Sequence, residues 1–295
     1  MASAVSRLGT AGEFGNLNPT IISAQVQMVA LTRLPWQRLI NWMPHNTKGS
    51  VTNVVQSTYT TAMSALSESA TLGMGEVSAA YATTSRSVTQ TAKGLDFFLT
   101  LMASEFQVAD ATHIVNTLGA SFGKRLDTDI MALYTEAPTA NEIGASLTAL
   151  TYANSFVPAF AALASGATPN PIFWVLASPQ IAEIGTESQF AEWQKLGQAW
   201  LDQKIDLPTG YLGVAPWGVE CYYSNNYTAS AGNHGMMFSR EAFQLHEHMP
   251  FTVAIDSSEI GVQSRSIKFG GTAIYGVGGV RDTSTTNAWV ADIVS

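Results

Sequence analysis

Gly119-Ala-Ser-Phe-Gly123-Lys124-Arg125 is the stretch of this chain that comes nearest to a phosphate cradle. A P-loop needs one more residue between its glycines, and a Ser or Thr after the lysine to hold magnesium; here Arg125 stands in that place. Gly276-Val-Gly278-Gly279-Val-Arg281 lacks the last glycine position of a dinucleotide fingerprint and is followed by strand-like sequence, so it fails as well. His246-Glu247-His248, with His234 and Cys221 upstream, holds zinc-ligand residue types. The two histidines share a face only if the backbone there is extended, and the local sequence reads as a helix end before Met249-Pro250. Cys221, His113 and His234 have no spacing that points to a nucleophile and its base, and no Gly-x-Ser-x-Gly elbow occurs. Asp127 and Asp129 point apart on a helix, which predicts solvated or salt-bridged carboxylates beside Lys124 and Arg125 rather than a shared proton. Phe190, Trp193 and Trp200 read as a core stripe rather than a base-stacking platform. The sequence therefore assigns no catalytic, cofactor-binding or metal-binding residue, and the expectation is a protein that is not an enzyme and carries no cofactor.

The elements that would position such residues are set by an unusual composition. Only 12% of the 295 residues are charged, against about a quarter in ordinary soluble domains. Such a surface is expected to be covered by other chains. A pI near 5.0 opposes phosphate binding through a basic patch. Arg7, Arg33, Arg38 and Lys48 outweigh Glu13, so residues 1–60 are mildly basic while the whole chain carries −8. A basic arm on an acidic body suits a polyanion or a neighbouring acidic subunit. The single cysteine excludes an intrachain disulfide and fits a reducing compartment. No signal-peptide pattern opens the chain. Residues 143–182 hold no charged side chain, but Asn154, Pro158, Pro169, Asn170 and Pro171 break any membrane-spanning run, so no membrane partner is expected.

Little of residues 1–93 reads as able to fold alone. A short helix is predicted within 20–43, with a turn at Pro35-Trp36. Val51, Val54, Val55 and Thr58, in a Ser/Thr-rich stretch with Gly73 and Gly75 between its arms, predict a protruding hairpin over 50–87. A two-stranded ribbon is marginal alone in water, so outside support is implied. Asp110 as N-cap and Val115, Leu118, Phe122, Leu126, Ile130 and Leu133 as one stripe predict a long helix over 111–134, stopped by Pro138. Further helices are expected over 146–164, 180–184, 187–203 and 240–246. Strands are expected over 172–176, 214–224, 251–256, 265–269, 273–280 and 288–293, with loops at 225–226 and 232–235. Structure should resume at 236–238, after the second loop. Gly276, Gly278 and Gly279 should let another backbone come close.

This succession resembles the major capsid proteins of tailed double-stranded DNA phages, with the Hong Kong 97-type fold. The likeness rests on the arm, the hairpin, and the long helix written Asp110 to Tyr134. It continues in Phe173-Trp-Val-Leu-Ala-Ser-Pro179, Gly235-Met-Met-Phe-Ser-Arg240-Glu-Ala-Phe243 and Tyr275-Gly-Val-Gly-Gly-Val-Arg281-Asp282. It implies an α+β chain divided into an N-terminal arm (1–45), an extended hairpin and peripheral strand (46–93), a peripheral domain with the spine helix (94–140), an axial α/β domain (141–235) and a return to the peripheral sheet (236–295). It also implies self-assembly, as pentamers and hexamers, into an icosahedral head in the virion, built in the host cytoplasm around packaged double-stranded DNA contacted non-specifically. Scaffolding, portal and cement proteins would be its further partners. A β-rich virion surface protein that binds a receptor or carbohydrate is the alternative, and a hydrolase stands third; the long helix counts against the first of these.

Overall fold

The structure, a computed structural model, describes residues 36–44, 51–59, 81–100, 111–146, 148–166, 168–185, 210–224, 232–256, 266–280 and 288–295. Helix α1 is the single turn Trp36–Leu39, and strand β1 follows as Asn41–Pro44. Strands β2 (Val51–Tyr59) and β3 (Tyr81–Thr89) pair antiparallel in unbroken register, from Val51 opposite Thr89 to Tyr59 opposite Tyr81. These are the arms of the expected hairpin; its turn, at Gly73 and Gly75, lies outside the described residues.

Strand β4 (Thr91–Thr100) runs on from β3 after Gln90. Helix α2 (Ala111–Met131) then forms on the predicted stripe: Leu118, Leu126 and Ile130 are buried, and Phe122 and Leu133 pack against the same core. It ends in a 3-10 turn, Ala132–Glu136, just before Pro138. The short strand β5 is Glu142–Gly144.

Sequence and structure differ most in the next stretch. The helix expected from residue 146 begins at Tyr152, because Thr151 and Asn154 cap each other's backbone N–H groups there. Its first turn, Tyr152–Phe156, is π-helical; α3 proper is Val157–Ser165, closed at Gly166 as expected. Strand β6 (Ile172–Ala177) and helix α4 (Ser178–Ile184) match the reading, and the helix predicted over 187–203 lies outside the described residues.

The strand expected over 214–224 is instead a hairpin of β7 (Tyr211–Val214) and β8 (Glu220–Ser224), folded around Pro216-Trp217-Gly218. Gly235, expected in a loop, lies in β9 (His234–Ser239). The helix expected over 240–246 is a 3-10 turn, Arg240–Ala242, and then the start of the long strand β10 (Phe243–Asp256). The strands expected over 265–269 and 273–280 are one, β11 (Ser266–Gly279), and β12 is Val290–Val294.

Two larger sheets result, in the orders β1-β10-β11-β4 and β5-β12-β9-β6-β8-β7. Strand β6 explains their arrangement: Phe173, Val175 and Ala177 enter a core shared with α2 and the four-stranded sheet, while Ile172, Trp174 and Leu176 enter a second core under α3 and α4. The strand reads as an unbroken apolar run because both of its faces are covered. β9, which starts at His234, and β12 both belong to the six-stranded sheet.

One expectation about the N-terminal arm is corrected by the core. Trp36, Leu39 and Ile40 are at most 1% exposed, and β1 is a parallel edge strand on β10. Residues 36–44 are therefore part of the folded body, because their apolar side chains fill the core shared by the two sheets.

Candidate functional site

Residues 36–44 form a strap whose side chains are tied to carboxylates on three other elements. The Trp36 indole N–H donates to Asp127 Oδ1 on α2 at 2.5 Å, Arg38 bridges to Glu220 on β8, and the Trp42 indole donates to Glu247 Oε2 on β10 at 2.9 Å. The strap thus fastens the long helix to both sheets. Asp127 is only 2% exposed, so its reading as a solvated carboxylate is overturned: the Trp36 indole is its buried donor. Asp129 points elsewhere, as the helical spacing required. It pairs with Arg125 at 3.0 Å, lies 3.5 Å from Lys93, and accepts the Tyr275 hydroxyl at 2.8 Å. Burial, then the Asp129 charge, pushes the Tyr275 hydroxyl up from its ordinary pKa.

Where β9 meets β12, His234 Nδ1 lies 2.9 Å from Asp292 Oδ2, and the Tyr134 ring stacks on the imidazole at 4.0 Å between centres. Burial raises the Asp292 carboxyl to about 6, against the opposing pull of His234. Close by, the fully buried Gln180 clips strands together. Its amide donates to the carbonyls of Asn233 and Ile293 at 2.9 and 2.8 Å, and its oxygen accepts the Ala177 N–H at 3.1 Å. Sequence reading missed both the Asp292 pair and this glutamine. Only pairing across the sheet brings their partners near.

The other residues singled out by type do not converge. His246 and His248 do share an extended strand rather than diverging on a helix, and His246 Nε2 meets Gln244 Oε1 at 3.2 Å. Cys221 faces the core under α3, whereas His234 faces Tyr134 on the opposite side of the six-stranded sheet. Burial pushes the Cys221 thiol up to about 12, far from a reactive thiolate. The side chain of His113, and all of Phe190, Trp193 and Trp200, lie outside the described residues. Gly119 to Arg125 is mid-helix, with no loop to wrap a phosphate. Among the described residues, no group of three or more His, Cys, Asp or Glu is placed to hold a metal ion, and no helix is long and apolar enough to cross a membrane.

What the geometry does provide is a set of docking features. Strand β3 lies against β11 where glycines make room: a Cβ on Gly276 would sit 2.5 Å from the Thr89 carbonyl, and one on Gly278 would sit 2.9 Å from Val88 Cγ2. This is the close approach that the glycine spacing predicted. An open groove of about 420 Å³ runs between α2 and the four-stranded sheet, floored by Leu118, Phe122 and Phe251 and edged by Lys93 and Arg125.

No protein-family model matches the chain, and no curated protein is similar to it in sequence. Solved structures are similar in architecture. The capsid of Ralstonia phage GP4 superposes with a TM-score of 0.66 at 11% identity, covering 86% of each chain. The head structure of Helicobacter pylori bacteriophage KHP40 gives 0.58 at 15% identity, over 89% of this chain and 91% of that one. The capsid structure of cyanophage P-SCSP1u gives 0.57 at 11% identity, over 87% and 86%. At this identity the likeness speaks for the fold, and it spans nearly the whole molecule: this chain is an α+β protein built on the architecture of phage capsid structures.

Proposed function

We propose that this chain is a major capsid protein of the Hong Kong 97 type, a structural, non-catalytic subunit whose copies close into an icosahedral head around double-stranded DNA. The observation that carries this reading is the likeness to phage capsid and head structures over nearly nine tenths of the chain. The low charge content and the two-stranded β2-β3 ribbon support it, since both call for neighbours.

In this reading, residues 1–35 are the arm and β2-β3 the extended loop. The four-stranded sheet with α2 is the peripheral domain, and the six-stranded sheet with α3 and α4 is the axial one. Pentamers and hexamers are the assembling units, the virion is the destination and the host cytoplasm the place of assembly. Scaffolding, portal and cement proteins are further partners. DNA is contacted without sequence preference, because a chain with a pI near 5.0 opposes phosphate binding through a basic patch.

Full-length protein purified from an expression host and examined by size exclusion with light scattering and negative-stain microscopy tests the proposal. Closed particles or capsomers are expected. A compact monomer at high concentration, with or without added scaffold, overturns it.

A further inference from the structure

Among the described residues, Trp217 is the most exposed large apolar side chain, at 60%, and its backbone is left-handed at φ 61°. A bulky residue rarely adopts that conformation, and such strain concentrates at functional positions. The loop is closed beneath it by the Ala215 N–H, which donates to the Val219 carbonyl at 2.7 Å.

One side of the indole lies on Phe160 and Phe156, with ring centres 4.5 and 5.6 Å away and planes within 27° and 12° of parallel. Phe156 stacks in turn on Tyr152 at 5.2 Å. Two of these rings come from the π-helical turn Tyr152–Phe156, a rare geometry that recurs at functional sites. Two separate backbone irregularities therefore build one aromatic ladder and leave its outermost ring in solvent.

Its electrostatics single out a partner. Residues 143–182 contribute no charge. In 210–224 the one ionic residue, Glu220, is engaged by Arg38 and by the Tyr222 hydroxyl, on the face of β8 opposite the ladder. Glu183 on α4 accepts the Leu150 N–H. Among the described residues of these segments, an ionic partner would find no complementary charge beside the ladder. A second copy of this chain would bring an identical patch, and in a symmetric contact any ionic group would face its own kind. An uncharged aromatic surface satisfies that condition, and Trp is among the residues that most often dominate interface energies.

We propose that the Trp217 ladder is a contact between copies of this chain. The inference rests on the shell-forming reading and narrows it to one surface. Wild type, Trp217→Glu and Trp217→Gly are compared as full-length proteins by circular dichroism, light scattering and microscopy. The glutamate sets like charges against each other, while the glycine removes the ring and relieves the backbone. Native circular dichroism and at least a tenfold loss of particle yield are expected for Trp217→Glu, with a smaller loss for Trp217→Gly.

Acrylamide quenching of wild type and Trp217→Phe, before and after assembly, isolates the Trp217 emission without a disruptive variant. It should become protected in particles. If wild type forms no particles, the shell-forming reading falls and this contact with it. If particles form and the Trp217 emission stays equally quenchable, or all variants assemble with equal yield, the shell-forming reading stands and this contact is overturned.

Discussion

Single residues show how far a type-and-spacing argument reaches. Asp127 and Asp129 were separable from sequence because two helical steps turn them apart, and the Arg125 pairing of Asp129 follows from i, i+4 spacing. The burial of Asp127 was not legible, because its donor is an indole 91 residues away. Asp292 is a sharper case, since nothing in its neighbourhood along the chain marks it as buried. Its folded pKa of about 6 lies above its ordinary 3.8, with burial the main cause. A carboxyl shifted in that direction holds its proton more tightly in the folded state, so its contribution to stability is full below about pH 4 and lost as pH rises through about 6. The charged and titratable groups around it are His234, Glu142 and the stacked Tyr134. Asp292→Asn stays neutral throughout. Denaturant unfolding should therefore show the stability difference moving in the variant's favour between pH 4 and pH 7; a constant difference would place the pH response elsewhere.

At the level of elements, the reading succeeded where apolar residues formed one plain pattern and failed where polar residues were buried among them. Helix α2 announced itself by a single stripe and β6 by an unbroken apolar run. The start of β10 was read as helix although Phe243, Gln244, Leu245 and His246 alternate apolar and polar as a strand does; Gln244 and His246 are buried along with the apolar pair. The break between β7 and β8 was missed because its turn places Trp217, not a glycine, at the first left-handed position. The glycines of β11 were read correctly, and they give a sharp test. Gly276→Ala forces the β3 backbone away from β11 at Thr89, since a carbonyl oxygen cannot yield as a flexible side chain does. We expect a loss of about 1–3 kcal/mol in unfolding free energy and faster proteolysis within the β2-β3 hairpin. Gly94→Ala, whose added methyl would meet its nearest neighbour at 3.5 Å, should behave like wild type.

For the whole molecule, composition pointed to a chain made for company, and its architecture is similar to that of phage capsid structures. The sequence reading counted residues 36–44 with an arm, because a short apolar strap looks the same whether it dangles or docks, and the core places them in the body. The corrected boundary makes a paired prediction. Removing residues 1–35 should leave a cooperatively unfolding body that no longer forms closed particles. Removing residues 1–44 should abolish cooperative unfolding itself, because Trp36, Leu39 and Ile40 leave the core with it. Differential scanning calorimetry alongside microscopy distinguishes the two; a cooperative transition in the longer truncation would show the strap to be dispensable. The strap's anchors lie 91, 182 and 205 residues downstream of it. Ribosomes deliver sequence in order, so this strap emerges before any of its anchors and is tied by all three only once residue 247 has been made. Its two tryptophans therefore meet their carboxylate partners far apart in time, Trp36 once residue 127 has been made and Trp42 once residue 247 has.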